Sequence, residues 1–338
     1  MVINLTTTTD GPSESDRFTG ALLGMAIGDA LAMPAGNVPS HVISDYEPLL
    51  DETGNVLVQP GQFTSHTELA LCLIEAIVSS QGFVDPDAAG YRFVQVLISE
   101  NDHFLDPTTR SALERASATA DYQDGLPSAA AVEPGPAARV APIALTHSLG
   151  RLNTELLVRE VMRATLITHA DPLAVNGALA FAYALNLVIR RQLPPEMIVA
   201  EVLAFIDEDA VARSLRVVDD MLRRRASGLP LPDDDALLER IGDTATIEGA
   251  VAMSLYLFST HHGDFSRAVL AAANSGAGAS AVGAMTGALC GGWIGAREIP
   301  IPLVDGLEGR MYILMAAPAL YRTAQRRAGL FLQLHQRP

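Results

Sequence analysis

The sequence predicts an all-α protein, a single compact multi-helix domain, on three observations. Apolar residues recur at helical spacing in every long segment, strand-like alternation is nearly absent, and aromatics make up only 5% of a chain rich in alanine and glycine. The first two favour helices over strands, and the third favours helices packed closely through small side chains. With 338 residues, 49% of them hydrophobic, the chain is large enough to bury a sizeable core.

The elements follow in order. Residues 1–15, dominated by Thr, Ser, Gly and Pro, read as a disordered leader with neither the basic segment nor the apolar core of a secretory signal, and the helical domain is expected over 16–338. Asp16 is expected to cap a helix over 17–33, with Phe18, Leu22, Leu23, Ile27 and Leu31 on one side and Gly20, Gly24 and Gly28 on the other. Glycines four residues apart pare down a helix face so that another backbone can approach, at a cost of roughly 1 kcal/mol each in helix propensity. The same device recurs at Gly283, Gly287, Gly291 and Gly295. Further helical patterns run over about 67–80, 86–99, 108–118, 154–165, 172–191, 195–207, 209–226, 234–241, 247–259 and 265–273. Asp171 before Pro172, and Pro194-Pro195, mark two helix starts. Two Pro/Gly-rich stretches, DYQDGLPSAAAVEPGPAARVAP (121–142) and ASGLPLPDDDA, read as loops. Neither changes the composition around it, so neither reads as an interdomain linker.

Charge and cysteines exclude several functions. The 39 acidic against 23 basic side chains give a formal charge of −16, which repels nucleic acid and anionic lipid. Cys72 and Cys290 lie far apart in apolar surroundings and form no CxxC pair or disulfide framework, which fits a reducing cytoplasm. No charged residue occurs over 268–296, long enough to span a bilayer. Its Ala/Gly/Ser composition, interrupted by Asn274-Ser275-Gly276, predicts a packed interior helix instead.

Five segments in order carry a resemblance to the ADP-ribosylglycohydrolase family, from about Arg17 to the C-terminal helix. GALLGMAIGDALAMPAG (20–36) resembles the family's opening helix GALLGLAIGDALGAPVE. FTSHTELAL stands where the family has TDDT followed by a helix, and GPAARVAPIAL where it has NGxxMRVAPLAL. ITHADPLAVNGALAFAYAL is similar to a THxxPxA helix, and SGAGASAVGAMTGALCGGWIGAREIP to GGDTDTxAAIAGALAGAxxGxxxIP. The resemblance implies a helical cleft in which two magnesium ions bind ADP-ribose hydroxyls and orient water at the anomeric carbon. It also implies the ligand set: a Glu after the first helix, the Thr and two Asp of TDDT, and the late Asp, Asp and Thr.

Carried across by position, the Glu becomes Gly36, the first Thr remains as Thr64, and its two Asp become Ser65 and His66. The late ligands become Gly278, Ser280 and Ala281, so all five carboxylates are replaced. Magnesium is a hard cation that normally needs at least one or two carboxylates. The expectation is therefore a cleft with no metal and no cofactor. Its catalytic group would be His66, with Thr64, Ser65 and Glu68 beside it, and its substrate side would be Asp29, Gly36, Arg139, His169, Gly278 and Ser280. A neutral imidazole suits a general acid or base, and a space-filling histidine bonded to a helix terminus is equally open; Glu68 could pair with it, but reads first as a first-turn carboxylate serving the helix dipole. Arg139 suits a phosphate, a carboxylate or the adjoining loop, while His169 suits pocket or packing, and Asp171 reads as a helix cap. His147 reads as a buried polar anchor, and His261-His262 as a polar turn.

Three functions follow from this kit. The first is metal-independent elimination, proton transfer or cyclisation on a small organic molecule, as in a biosynthetic step. Non-catalytic binding of ADP-ribose or a nucleotide comes second. The third is residual ADP-ribosyl or N-glycosyl hydrolysis, which usually calls for two carboxylates that the motifs no longer supply. The expected partner is a small-molecule ligand, with no nucleic acid and no membrane, and the sequence leaves the oligomeric state open.

Overall fold

Helix caps and a pair of glycine stripes organise the molecule, as seen in a computed structural model that describes residues 11–34, 42–99, 104–229 and 239–335. The first helix, α1 (Glu14–Ala32), begins earlier than Asp16, because Ser13 takes the cap and accepts the Asp16 N–H at 3.2 Å. Asp16 instead places a carboxylate in the first turn, where the helix dipole favours it. Residues 13–15 thus belong to the start of the domain, and 1–10 of the expected leader lie outside the described residues.

Next come α2 (Ser65–Ser79), α3 (Pro86–Leu97) and α4 (Pro107–Thr119), capped by Thr64, Asp85 and Asp106. The stretch read as one loop over 121–142 contains α5 (Gly135–Ala138) and the start of α6 (Ala141–Thr146), both too short to carry a readable period. They lead to α7 (Thr154–Thr165), α8 (Pro172–Arg190), α9 (Ile198–Phe205) and α10 (Ala210–Ala226). Of the helix expected over 234–241, 239–241 are helical and the rest lies outside the described residues. The chain ends with α11 (Ile247–His261), α12 (Phe265–Ala273), α13 (Ala279–Ile294), α14 (Ile301–Gly306) and α15 (Arg310–His335). One antiparallel pair of strands, β1 (Leu49–Leu50) with β2 (Val56–Val58), is the small departure from an all-helical chain among the described residues.

The two glycine stripes face one another. A Cβ on Gly20, Gly24 or Gly28 would overlap the carbonyl oxygen of Gly291, Gly287 or Gly283, and the reverse substitutions would overlap the matching carbonyls of α1. Helices α1 and α13 therefore run antiparallel with backbone against backbone, which any larger side chain would force apart. This seam holds the end of α1, and with it Asp29, against the start of α2. The apolar stretch over 268–296 is two helices broken between Ala273 and Ala279. Only α8, among the described helices, is long and apolar enough to cross a membrane, and 78% of its apolar window is buried inside the protein. His147, at the end of α6, sits buried with Glu160 of α7 and Arg327 of α15, with Nε2 2.7 Å from Glu160 Oε2 and 2.9 Å from Arg327 Nη2.

Candidate active site: a closed cap beside an open cluster

The start of α2 is stitched to α1 by one buried carboxylate. Asp29, fully buried, accepts four hydrogen bonds: from the Thr64 hydroxyl at 2.7 Å and N–H at 3.1 Å, and from the Thr67 hydroxyl at 2.7 Å and N–H at 3.1 Å. Burial raises the Asp29 pKa, against His66 and these donors. Thr64 also caps α2 by accepting the His66 N–H at 3.3 Å. Ser65 donates its hydroxyl to Phe104 O at 2.8 Å and so ties the approach to α4. Thr64, Ser65 and Asp29 are thus occupied with holding the scaffold.

His66 differs from its neighbours. It is half-buried, and among the described residues its imidazole has no hydrogen-bond partner. A Cβ on Gly135 would lie 3.9 Å from His66 Nδ1 and 3.0 Å from Asp106 Oδ2, so the bare glycine separates the two and leaves space between them. Burial holds the His66 pKa below the usual histidine range, against the pull of Asp29 and Asp106 and with the push of Arg139. Glu68 is half-buried in the first turn of α2.

Across that space three side chains converge from distant parts of the chain. Asp106 caps α4, its Oδ1 accepting the Thr109 N–H at 2.7 Å and its Oδ2 the Thr109 hydroxyl at 2.7 Å. Glu133 precedes α5 and accepts the Thr108 hydroxyl at 2.9 Å through Oε1, while its buried Oε2 has no hydrogen-bond partner. His169, fully buried, points Nε2 toward both carboxylates, 3.4 Å from Glu133 Oε2 and 3.8 Å from Asp106 Oδ1, and that nitrogen also lacks a hydrogen-bond partner. Burial raises the Glu133 pKa, but His169, the Glu133 N–H and Thr108 outweigh it and hold the carboxyl down at about 2. A short bridge places His169: the Leu126 N–H donates to Thr168 O at 2.9 Å, and the Ala170 N–H donates to Leu126 O at 2.9 Å.

Arg139 lies under this floor. It is fully buried, donates Nη2 to the Thr168 hydroxyl, and rests 5.4 Å from the Phe93 ring centroid. Burial pushes its pKa down to about 10, against the attraction of Asp106. It therefore reaches Thr168 rather than the open cleft, and Thr168 in turn holds His169 Nδ1 at 2.8 Å. Asp171 occupies a helix N-cap position but makes no side-chain cap bond. Its Oδ2 accepts the Ser128 N–H at 2.8 Å and hydroxyl at 3.0 Å instead, pinning the loop before Glu133.

The remaining residues expected on the substrate side divide. Ser280 is half-buried near the start of α13. Gly278 is pressed against the protein: its N–H donates to the Thr244 hydroxyl at 3.3 Å, and a Cβ there would overlap Thr244 O. Gly36 lies outside the described residues. A magnesium pair does not fit the positions that are described. Ser65 and Thr64 have committed their hydroxyls, Gly278 has no side chain, and the carboxylate bonded to Thr64, Asp29, is enclosed by four donors. His261 and His262 do not form a metal pair either: His261 Nδ1 lies 2.8 Å from the Thr260 hydroxyl, and the His262 ring packs against Phe258 and Trp293.

Asp106 and Glu133 are the residues that motif spacing misses. Asp106-Pro107-Thr108-Thr109 reads as a helix start, which it is, and nothing local reveals that the same carboxylate also faces His169. Glu133 sits in a Pro/Gly/Ala-rich loop directly before the GPAARVAP block, and that adjacency is the one available signal.

The fold and the cluster together define a class: an all-helical scaffold with polar residues gathered near the starts of α2, α4 and α5. The ADP-ribosylglycohydrolase family profile matches residues 10–329, and the chain belongs to that family. It is 25% identical to ADP-ribosylarginine hydrolase Tri1 of Serratia proteamaculans, covering 92% of this chain and 81% of that protein. With ADP-ribosylhydrolase ARH3 of Homo sapiens the identity is 22%, over 92% and 94% of the two chains. A solved structure described as an ADP-ribosylglycohydrolase-related protein complex superposes with a TM-score of 0.72 at 27% identity, covering 92% of this chain and 99% of that one.

Proposed function

We propose that this protein hydrolyses a glycosidic bond to ADP-ribose, or to a ribosyl group of similar chemistry, with His66 as the acid/base group in place of a magnesium pair. The observation that carries the reading is a half-buried imidazole without a hydrogen-bond partner among the described residues, set opposite the Asp106 carboxylate across Gly135. Neutral near pH 7, His66 suits accepting a proton from water as its oxygen bonds to the anomeric carbon, and handing that proton to the leaving group whose bond to the carbon breaks. The names of the relatives support the substrate class.

The test is release of ADP-ribose from ADP-ribosylated arginine and serine peptides, in buffer without added magnesium. His66→Ala should lower kcat by about 100- to 10,000-fold, the usual worth of a positioned acid/base group. Wild-type activity should fall in acid with a midpoint below the ordinary histidine value of about 6.5, because protonation removes the base. Full activity in His66→Ala would overturn the assignment. Tight binding of ADP-ribose without turnover of any such peptide would make the protein a binder instead.

A further inference from the structure

We infer that Asp106, Glu133 and His169 form a binding site for a single divalent transition-metal ion. It is separate from the family's magnesium positions and does not depend on the role given to His66. One ligand atom from each residue lies within 4.8 Å of the other two, although the residues come from three separate segments of the chain. Donors bound to one ion at about 2.0–2.2 Å sit roughly 3–3.5 Å apart, close to the 3.4 and 3.8 Å from His169 to the two carboxylates, whose own oxygens lie within 4.8 Å of one another.

The state of the donor atoms points the same way. His169 is fully buried with Nε2 aimed into the cluster and unpartnered, and Glu133 Oε2 is likewise buried and unpartnered. A buried polar atom left without a partner is costly, and a cation would satisfy both at once. Each ligand is also held from behind: Asp106 by Thr109, Glu133 by Thr108, and His169 through Nδ1 by Thr168, which Arg139 holds in turn. Such second contacts fix the ring and the carboxylates of metal ligands.

The donor chemistry selects the ion. Two carboxylates balance a dication, and one imidazole with two carboxylate oxygens suits zinc, iron or manganese better than magnesium or calcium, which take oxygen ligands. Asp106 and Glu133 keep 19% and 21% of their side-chain surface exposed, so three protein ligands would leave a position facing the cleft.

Untagged full-length protein, stripped with EDTA and passed into metal-free buffer at pH 7, can be titrated calorimetrically with zinc, manganese and magnesium chlorides. The expected result is one zinc per chain, with magnesium binding at least about 100-fold more weakly. Glu133→Gln, which keeps the side-chain shape and the Thr108 acceptor, should weaken zinc binding by about 100-fold or more, and Thr168→Ala, which removes the partner of His169 Nδ1 and of Arg139, by about 10- to 100-fold. His169→Ala should abolish the site, and circular dichroism checks its fold; if it fails to fold, Glu133→Gln decides. Absence of zinc binding by the wild type, or one zinc bound as tightly by Glu133→Gln, would overturn the inference.

Discussion

The start of α2 and the Asp106–Glu133–His169 cluster border the same cleft, yet they treat their polar atoms in opposite ways. Around Asp29 every donor from Thr64 and Thr67 has a close acceptor, and Ser65 is spent on Phe104 O. In the cluster, Glu133 Oε2 and His169 Nε2 face each other without forming a hydrogen bond. A closed network rigidifies a helix terminus, whereas an open one is held ready for something the protein does not itself supply. In the segment that resembles a family metal motif, Thr64 and Ser65 are spent on the scaffold, while His169, from another motif segment, meets two carboxylates that no motif marks.

Substitutions can break this contrast. The largest effect is expected at Asp29→Asn, which keeps the shape but turns an amide group toward buried N–H donors. It should cost about 3 kcal/mol or more, read from urea denaturation. Glu133→Gln should cost less, about 1 kcal/mol at pH 7, since only the attraction of His169 is lost. Its pH dependence has a definite sign. A carboxyl held at about 2 in the folded state contributes stability that is present above its unfolded pKa and is lost as pH falls toward 2. The gap between wild type and Glu133→Gln should therefore close between about pH 4.5 and pH 2. Equal losses for the two variants at pH 7 would erase the distinction between closed and open regions. The smallest effect is expected at half-buried Ser280, where alanine should change stability by no more than about 0.5 kcal/mol.

The helical class, most helix positions and the glycine stripes were legible because they rest on local period and on residue size. Gly20, Gly24 and Gly28 announce a close approach, and the structure identifies the partner stripe on α13, which no local pattern can name. Caps were less secure: Ser13 took the place expected for Asp16, and Asp171 turned its carboxylate to Ser128, because several polar residues near a helix start compete for the same N–H groups. Within the site, His66 and His169 were legible as members of motif segments. Asp106 and Glu133 were not, since their juxtaposition with His169 spans dozens of residues and depends on the 126–170 bridge. Arg139 carried a motif position, but only burial shows that it acts on Thr168.

We propose that the family's magnesium pair has lost its site in this chain. The most direct measurement is equilibrium dialysis of the EDTA-stripped protein against millimolar magnesium chloride, followed by elemental analysis of protein and dialysate. Less than one protein-bound magnesium per chain is expected, unchanged in Ser65→Ala and Ser280→Ala. Two bound magnesium ions per chain, reduced by those substitutions, would contradict it.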